Sequence, residues 1–283
     1  MAKQLLGKEV NAALNERIMA DVEALKAQGI TPTLGIVRVG EREDDLSYER
    51  GATKRCETLG VACEKFLLPE DVSQEELMVA IDKVNNDDGI HGVLIFRPLP
   101  KHLDEAAVIK ALAPEKDVDG ITDGSMVGVF TGTKQGFPPC TAQACIEILD
   151  YYKYDCTGKK AVVIGRSLVV GKPVAMMLLQ KQATVTICHT RTIDMPSVVR
   201  EAELVIVAAG RAGVIDDSYL SEGQTVIDVG INFTEDGKLC GDVDFAKAEP
   251  IVEAITPVPG GVGGVTTSVL VGHVVEAARR NFN

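Results

Sequence analysis

The sequence predicts an α/β protein of two domains, each built from strand and helix repeats around a parallel sheet. Three observations carry this. The chain has 283 residues, and single hydrophobic cores stop growing at about 250 to 300 residues. Apolar residues make up 46% of it, enough to fill two cores. Short apolar runs alternate with segments whose apolar residues recur every three to four positions, the pattern of βαβ units.

The first helix reads Val10, Leu14, Ile18, Val22 and Leu25, one buried face. A strand (34–39), a helix (44–59), a strand (63–67), a helix (74–84) and a strand (90–96) follow, an αβαβαβ order. A short helix is expected after Pro98-Leu99-Pro100. The glycine-rich stretch 119–136 reads as irregular backbone. A helix with Thr141 as its N-cap would then link the domains.

The second half repeats strand (160–164), helix (173–179), strand (184–188), helix (195–201), strand (204–208) and strand (225–229), a Rossmann-like order. These readings place a first domain at 1–140, completed by a C-terminal helix within 267–283, and a second at 141–266. The last helix is long enough to cross back onto the first domain, and a cleft between two such domains is the expected ligand site.

Charge narrows the partners. The formal net charge is -12, which argues against a nucleic acid, because such binders concentrate Lys and Arg against phosphate. No run approaches the roughly 18 apolar residues of a membrane helix, and MAKQLLGKEV has no apolar signal core, so a cytoplasmic protein without membrane partners is expected. The seven cysteines form no CxxC pair and read as reduced core thiols. The four histidines are scattered and offer no metal set.

The second domain opens on chemistry. Val162-Val163-Ile164-Gly165 is a strand ending in glycine, and Arg166 to Gly171 leads into a helix with Pro173 in its first turn. A glycine there permits close backbone approach to phosphate, and a helix N-terminus offers free N–H groups. The segment is neither GxGxxG nor a P-loop, so alone it is equally compatible with an ordinary strand-to-helix turn. The next strand ends in His189-Thr190-Arg191-Thr192, where a Rossmann half places the adenosine ribose. A hydroxyl and an arginine there, in place of an acid, suit a 2'-phosphate: NADP is expected, with NAD possible.

Gly165-Arg166-Ser167, Val170-Gly171 and Pro173, then Val226 to Asn232, then Pro257 to Gly263, together with Lys116 to Gly120 and Pro98-Leu99-Pro100, form an ordered set of motifs. Along its whole length the chain resembles the methylenetetrahydrofolate dehydrogenase/methenyltetrahydrofolate cyclohydrolase family. That resemblance implies a homodimer of two α/β domains flanking a folate cleft. It also implies NAD(P)-dependent oxidation of 5,10-methylenetetrahydrofolate to the methenyl form in one-carbon metabolism, followed in bifunctional members by hydrolysis to 10-formyltetrahydrofolate. By position, Gly165, Arg166 and Ser167 would cradle the cofactor phosphates, Thr190 and Arg191 would lie near the adenosine, and Ile231 and Thr266 near the nicotinamide. Asp119 would accept hydrogen bonds from the pterin, Tyr48 would stack on it, and Gly260, Gly261 and Val262 would close over it, in the loop opened by Pro257.

Two departures stand out. The family carries a lysine four residues after the tyrosine, which handles the proton in hydrolysis; that place holds Ala52, whether counted from Tyr48 or back from Gly60. Lys54 is rotated roughly 200° around the helix from it, and Arg55 returns to the tyrosine's face but stays protonated. The glutamine that bonds the lysine is replaced by Phe96, in Phe96-Arg97-Pro98-Leu99-Pro100. With both missing, the sequence predicts an oxidoreductase with weak or absent cyclohydrolase activity, the fully bifunctional enzyme being the alternative. Arg97 is expected to pair with Asp119 or with an acidic group such as the folate glutamate tail. Asp44 and Asp45 read as helix-dipole partners.

Overall fold

The structure is a computed structural model that describes residues 1–280. The chain divides into two compact units, residues 14–140 with 267–280, and residues 1–13 with 141–266. It opens with strand β1 (Lys3–Gln4) and helix α1 (Gly7–Lys26).

In the first unit, β2 (Thr33–Val39) is the middle of a three-stranded parallel sheet, with β3 (Ala62–Leu68) on one side and β4 (Gly92–Ile95) on the other. Leu34 to Val39 are buried throughout, as a central parallel strand requires, whereas the edge strand β3 is part-exposed. Helix α2 (Glu43–Leu59) is closed by Gly60 in the left-handed region at φ 78°, whose N–H donates to the Glu57 carbonyl. Helix α3 (Gln74–Asn86) starts from a reciprocal capping box between Ser73 and Glu76 and buries Leu77, Ile81 and Val84. Helix α4 (Glu105–Ala111) is capped by Asp104.

The glycine-rich stretch departs from expectation. It contains helix α5 (Asp123–Thr131), capped by Thr122 and ended by Gly132 at φ 72°. A Cβ at Gly128 would lie 1.9 Å from the Gln135 carbonyl oxygen and one at Gly124 2.5 Å from Pro114. The glycines serve close packing of a helix here, and the capping signal at Thr122 outweighs their low helix propensity.

Helix α6 (Cys140–Tyr151) starts at Cys140, so Thr141 lies inside its first turn and is not its N-cap. The second unit holds β5 (Lys160–Ile164), α7 (Gly171–Gln180), β6 (Thr184–Cys188), α8 (Met195–Arg200), β7 (Leu204–Val207), β8 (Thr225–Asp228), the hairpin β9 (Asn232–Phe233) with β10 (Leu239–Cys240), α9 (Phe245–Ala248) and β11 (Ala254–Ile255). The main sheet is parallel, in the order β1-β11-β8-β7-β5-β6. Four strands, β1, β9, β10 and β11, escaped the sequence reading because each is two residues long; β1 pairs with β11 across some 250 positions. Residues 1–13 therefore belong to the second unit, a correction to the expected first domain.

Helix α10 (Thr266–Arg280) returns to the first unit from Thr267 onward. Leu270, Val274 and Ala278 are fully buried at a spacing of four. Arg279 pairs with Asp21 at 2.6 Å, and the Arg280 guanidinium sits 4.2 Å over the Phe137 ring. The expected end of this helix at 281–283 lies outside the described residues.

Candidate active site

The chain passes from β5 to β6 on one side and then to β7 on the other, so strand order reverses between β5 and β7. In doubly wound sheets ligands bind outside the carboxyl ends of the strands at such a switch point. Gly165 stands there, at φ 125°, with its N–H donating to the Cys188 carbonyl. A Cβ on it would lie 2.2 Å from the Ala208 carbonyl oxygen, and one on Gly171 2.2 Å from the Gly165 carbonyl oxygen. Both glycines are sterically required by the close packing of this turn. The Ser167 hydroxyl accepts from the Val170 N–H at 3.1 Å and shapes the approach to α7. Arg166 and Ser167 are exposed. Thr190 and Arg191 are exposed in the turn after β6, where the Arg191 N–H donates to His189 Nδ1.

A cavity of about 300 Å³ is lined by residues 228–231, Leu239 and residues 257–264. Pro257, Gly260, Gly261, Val262 and Ile231 thus share one wall system. Gly260 takes φ 109°, and the Gly7 N–H donates to its carbonyl at 2.8 Å, anchoring the loop to the start of α1. Thr266 donates its hydroxyl to the Gly263 carbonyl at 3.2 Å, closing the same loop.

In the other unit, Tyr48 and Ala52 lie one turn apart on α2. Glu49 anchors that helix to the sheet, accepting from Arg38 at 2.7 Å and Lys65 at 2.8 Å. Tyr48 meets Phe96 edge to face at 5.8 Å between centroids. Ala52 is 1% exposed, whereas Lys54 points to solvent and reaches Glu57 at 3.7 Å. Cys140 and Asp119 act electrostatically on Tyr48, and Arg97 and Cys140 on Asp119. Desolvation, with Cys140 and Asp119 adding to it, pushes the Tyr48 phenol above its ordinary value. Desolvation likewise raises the Asp119 carboxyl to about 6, against the opposing pull of Arg97.

Arg97 forms its ion pair with Glu105, at 3.8 Å, so the expected direct partner Asp119 is corrected. Glu105 begins α4 and also accepts the Leu99 N–H at 2.8 Å, which puts it nearer the guanidinium. The Arg97 Nε is buried and has no hydrogen-bond partner among the described residues. Asp45 is more than a dipole partner: it holds Arg42 through two bonds of 2.9 and 3.0 Å, and Arg42 donates to the Pro98 carbonyl. Sequence reading missed this clamp, and also Cys140, whose thiol donates to the Val118 carbonyl beside Asp119.

Residues 5–119 match the tetrahydrofolate dehydrogenase/cyclohydrolase catalytic domain, and residues 139–282 match the NAD(P)-binding domain of the same family. The chain belongs to the tetrahydrofolate dehydrogenase/cyclohydrolase family. It is 54% identical over 279 residues to the bifunctional protein FolD of Carboxydothermus hydrogenoformans, covering 98% of this chain and 97% of that one. It superposes with a TM-score of 0.95 and 37% identity on the bifunctional FolD methylenetetrahydrofolate dehydrogenase/cyclohydrolase of Campylobacter jejuni, over 99% of this chain and all of that one. The methylenetetrahydrofolate dehydrogenase-cyclohydrolase of Trypanosoma brucei, solved with NADP and an inhibitor, gives 0.91 at 32% identity, over 100% and 99% of the two chains.

Family membership assigns the switch-point turn at Gly165 to the NAD(P)-binding domain, and the Tyr48, Arg97 and Asp119 group to the catalytic domain. Among the described residues no cluster of His, Cys, Asp and Glu could hold a metal ion, and no helix is long and apolar enough to cross a membrane.

Proposed function

We propose that this chain oxidises 5,10-methylenetetrahydrofolate to 5,10-methenyltetrahydrofolate with NADP+, and hydrolyses the product to 10-formyltetrahydrofolate. The observation that carries this reading is the chain-long likeness to relatives named bifunctional, at 54% identity. The steric demand for glycine at 165 and 171 fits a dinucleotide, because a backbone without side chains there lets phosphate approach closely. Gly165, Arg166 and Ser167 would hold the phosphates, Thr190 and Arg191 the 2'-phosphate end, and Ile231 and Thr266 the nicotinamide side. Bound there, NADP+ supplies the hydride acceptor.

For folate, Asp119 accepts from the pterin N–H and amino groups and Tyr48 flanks the ring. The main work of the chain in hydride transfer is orientation, since the folate N5 lone pair itself assists departure of the hydride. For hydrolysis the proton carrier in this reading is the Asp119 carboxyl, which desolvation raises to about 6. The protein acts as a cytoplasmic homodimer in this reading.

A second reading, dehydrogenase without hydrolase, is favoured by one observation. The places expected for lysine and glutamine hold a buried alanine and a phenylalanine packed on Tyr48. A single assay separates the two. NADPH forms in both, but methenyl absorbance accumulates only if hydrolysis is lost, and absence of NADPH formation overturns both.

Two outcomes follow for the folate group. Because the carboxylate is the accepting form of Asp119, kcat/KM for methylenetetrahydrofolate should fall as pH drops below about 6. Asp119→Asn should remove that limb, and a profile unchanged by the substitution would take Asp119 out of the role. Arg97→Ala should raise the folate KM roughly tenfold, since an unpaired buried donor costs about 1–3 kcal/mol and a ligand acceptor relieves it; an unchanged KM would leave Arg97 a partner of Glu105 alone.

A further inference from the structure

Asp242 follows β10 and is completely buried, yet among the described residues no lysine or arginine neutralises it; backbone N–H groups and one amide do. Its Oδ2 accepts from the N–H groups of Ala209 at 2.6 Å and Gly210 at 2.9 Å. Its Oδ1 accepts from the Arg211 N–H and the Asn232 side-chain amide, both at 2.9 Å. Three successive N–H groups turned onto one point form an anion nest, and here the protein's own carboxylate fills it.

Asp228 supports this arrangement from below. Its carboxylate accepts from the N–H groups of Gly230, Asp242 and Val243 at 2.9 to 3.0 Å. The glycines between the two acids have no alternative: a Cβ on Gly241 would lie 1.8 Å from Asp228, and one on Gly230 2.4 Å from Asp242. Burying two carboxylates so close is unfavourable, and a neutral, apolar filling would be more stable if stability were all that counted.

What the pair connects explains why it is there. Residues 209–211 leave β7 at the switch point, next to the Gly165 turn that contacts Ala208. Asp228, Gly230 and Ile231 line the 300 Å³ cavity, and Asn232 is the next residue in the chain. One side chain therefore ties the loop after β7 to the segment after β8. We propose that Asp242 is a positioning residue for the dinucleotide: it fills the nest after β7, leaves phosphate to the Gly165 turn, and holds the Ile231 wall in register with it. This rests on the dinucleotide reading of the same unit.

NADPH titration by fluorescence, with melting temperature and amide hydrogen exchange of the free protein, tests it in Asp242→Asn and in the milder Asn232→Ala. In Asp242→Asn the amide NH2 would face two N–H donors, whichever oxygen it replaced. The expected result is an NADPH Kd raised about tenfold or more in Asp242→Asn and about threefold in Asn232→Ala, with faster exchange at 209–211 in both. Lower melting temperatures with unchanged Kd in both variants would make Asp242 a structural residue only and overturn the proposal. If the unsubstituted protein itself binds no NADPH, the dinucleotide reading falls and the proposal with it; if it binds and the variants match it, the proposal alone falls.

Discussion

Gly165→Ala should raise the KM for NADP+ at least about tenfold and destabilise the second unit by about 3 kcal/mol or more. Two costs combine. At φ 125° an alanine is strained, and its Cβ would stand 2.2 Å from the Ala208 carbonyl oxygen, backbone that cannot rotate away. Relief requires the end of β5 to separate from the end of β7, which opens the switch point itself. Displacements near 1 Å at a positioning element cost about a hundredfold in rate. Steady-state kinetics with thermal melting measure both effects, and an alanine variant with parental KM and melting temperature would remove the turn from the cofactor site.

The second large effect is a gain. Ala52→Lys combined with Phe96→Gln should accelerate hydrolysis of methenyltetrahydrofolate about a hundredfold, the lower range for a positioned general acid or base. Position 52 is 1% exposed, on the face of α2 that carries Tyr48. An ammonium held there loses solvation, so its pKa falls toward neutrality, where proton exchange with water is useful. Glutamine at 96 gives it a hydrogen-bond partner that phenylalanine cannot. Each single variant should gain much less, because lysine alone is unoriented and glutamine alone supplies no base. The cost in stability should be a few kcal/mol, about that of burying a polar group and losing an aromatic contact. Decay of methenyl absorbance in the purified double variant reads the outcome. No change in rate would show that the lysine is not what limits hydrolysis in this chain.

Long elements with strong periodicity are legible in the residue order alone. The alternating strands and amphipathic helices from β2 to β8 follow from local sequence, because each buries its own apolar face. The short pieces are not legible in this way. Strand β1 is Lys3–Gln4, a polar pair that no pattern marks, and it becomes a strand only because β11 presents an open edge. Helix α5 is hidden by glycines that suggest loop in isolation and in the fold pack where a Cβ would lie 1.9 to 2.5 Å from its neighbours.

The site divides in the same way. Residue types and order point to Gly165, Tyr48, Asp119 and the empty place at Ala52. They do not point to the ion pair of Arg97 with Glu105, since Arg97 lies in a loop whose path is set by Arg42 and Asp45. Asp242 also escapes the sequence reading, because Glu235, Asp236, Lys238, Asp244 and Lys247 surround it in the chain and nothing local marks it as the buried acid.

By itself, then, the sequence determined the two-domain α/β class, the family, and which side chains are available at positions 48, 52, 96, 97 and 119. Tertiary structure alone decided which of them are buried, which carboxylates are desolvated, and which donors they face. The reason is physical: local order sets backbone conformation through short-range sterics and periodic burial, whereas desolvation and hydrogen-bond pairing depend on segments far apart in the chain. Asp242 and residues 209–211 are some thirty positions apart, and only the fold brings three N–H groups onto one carboxylate.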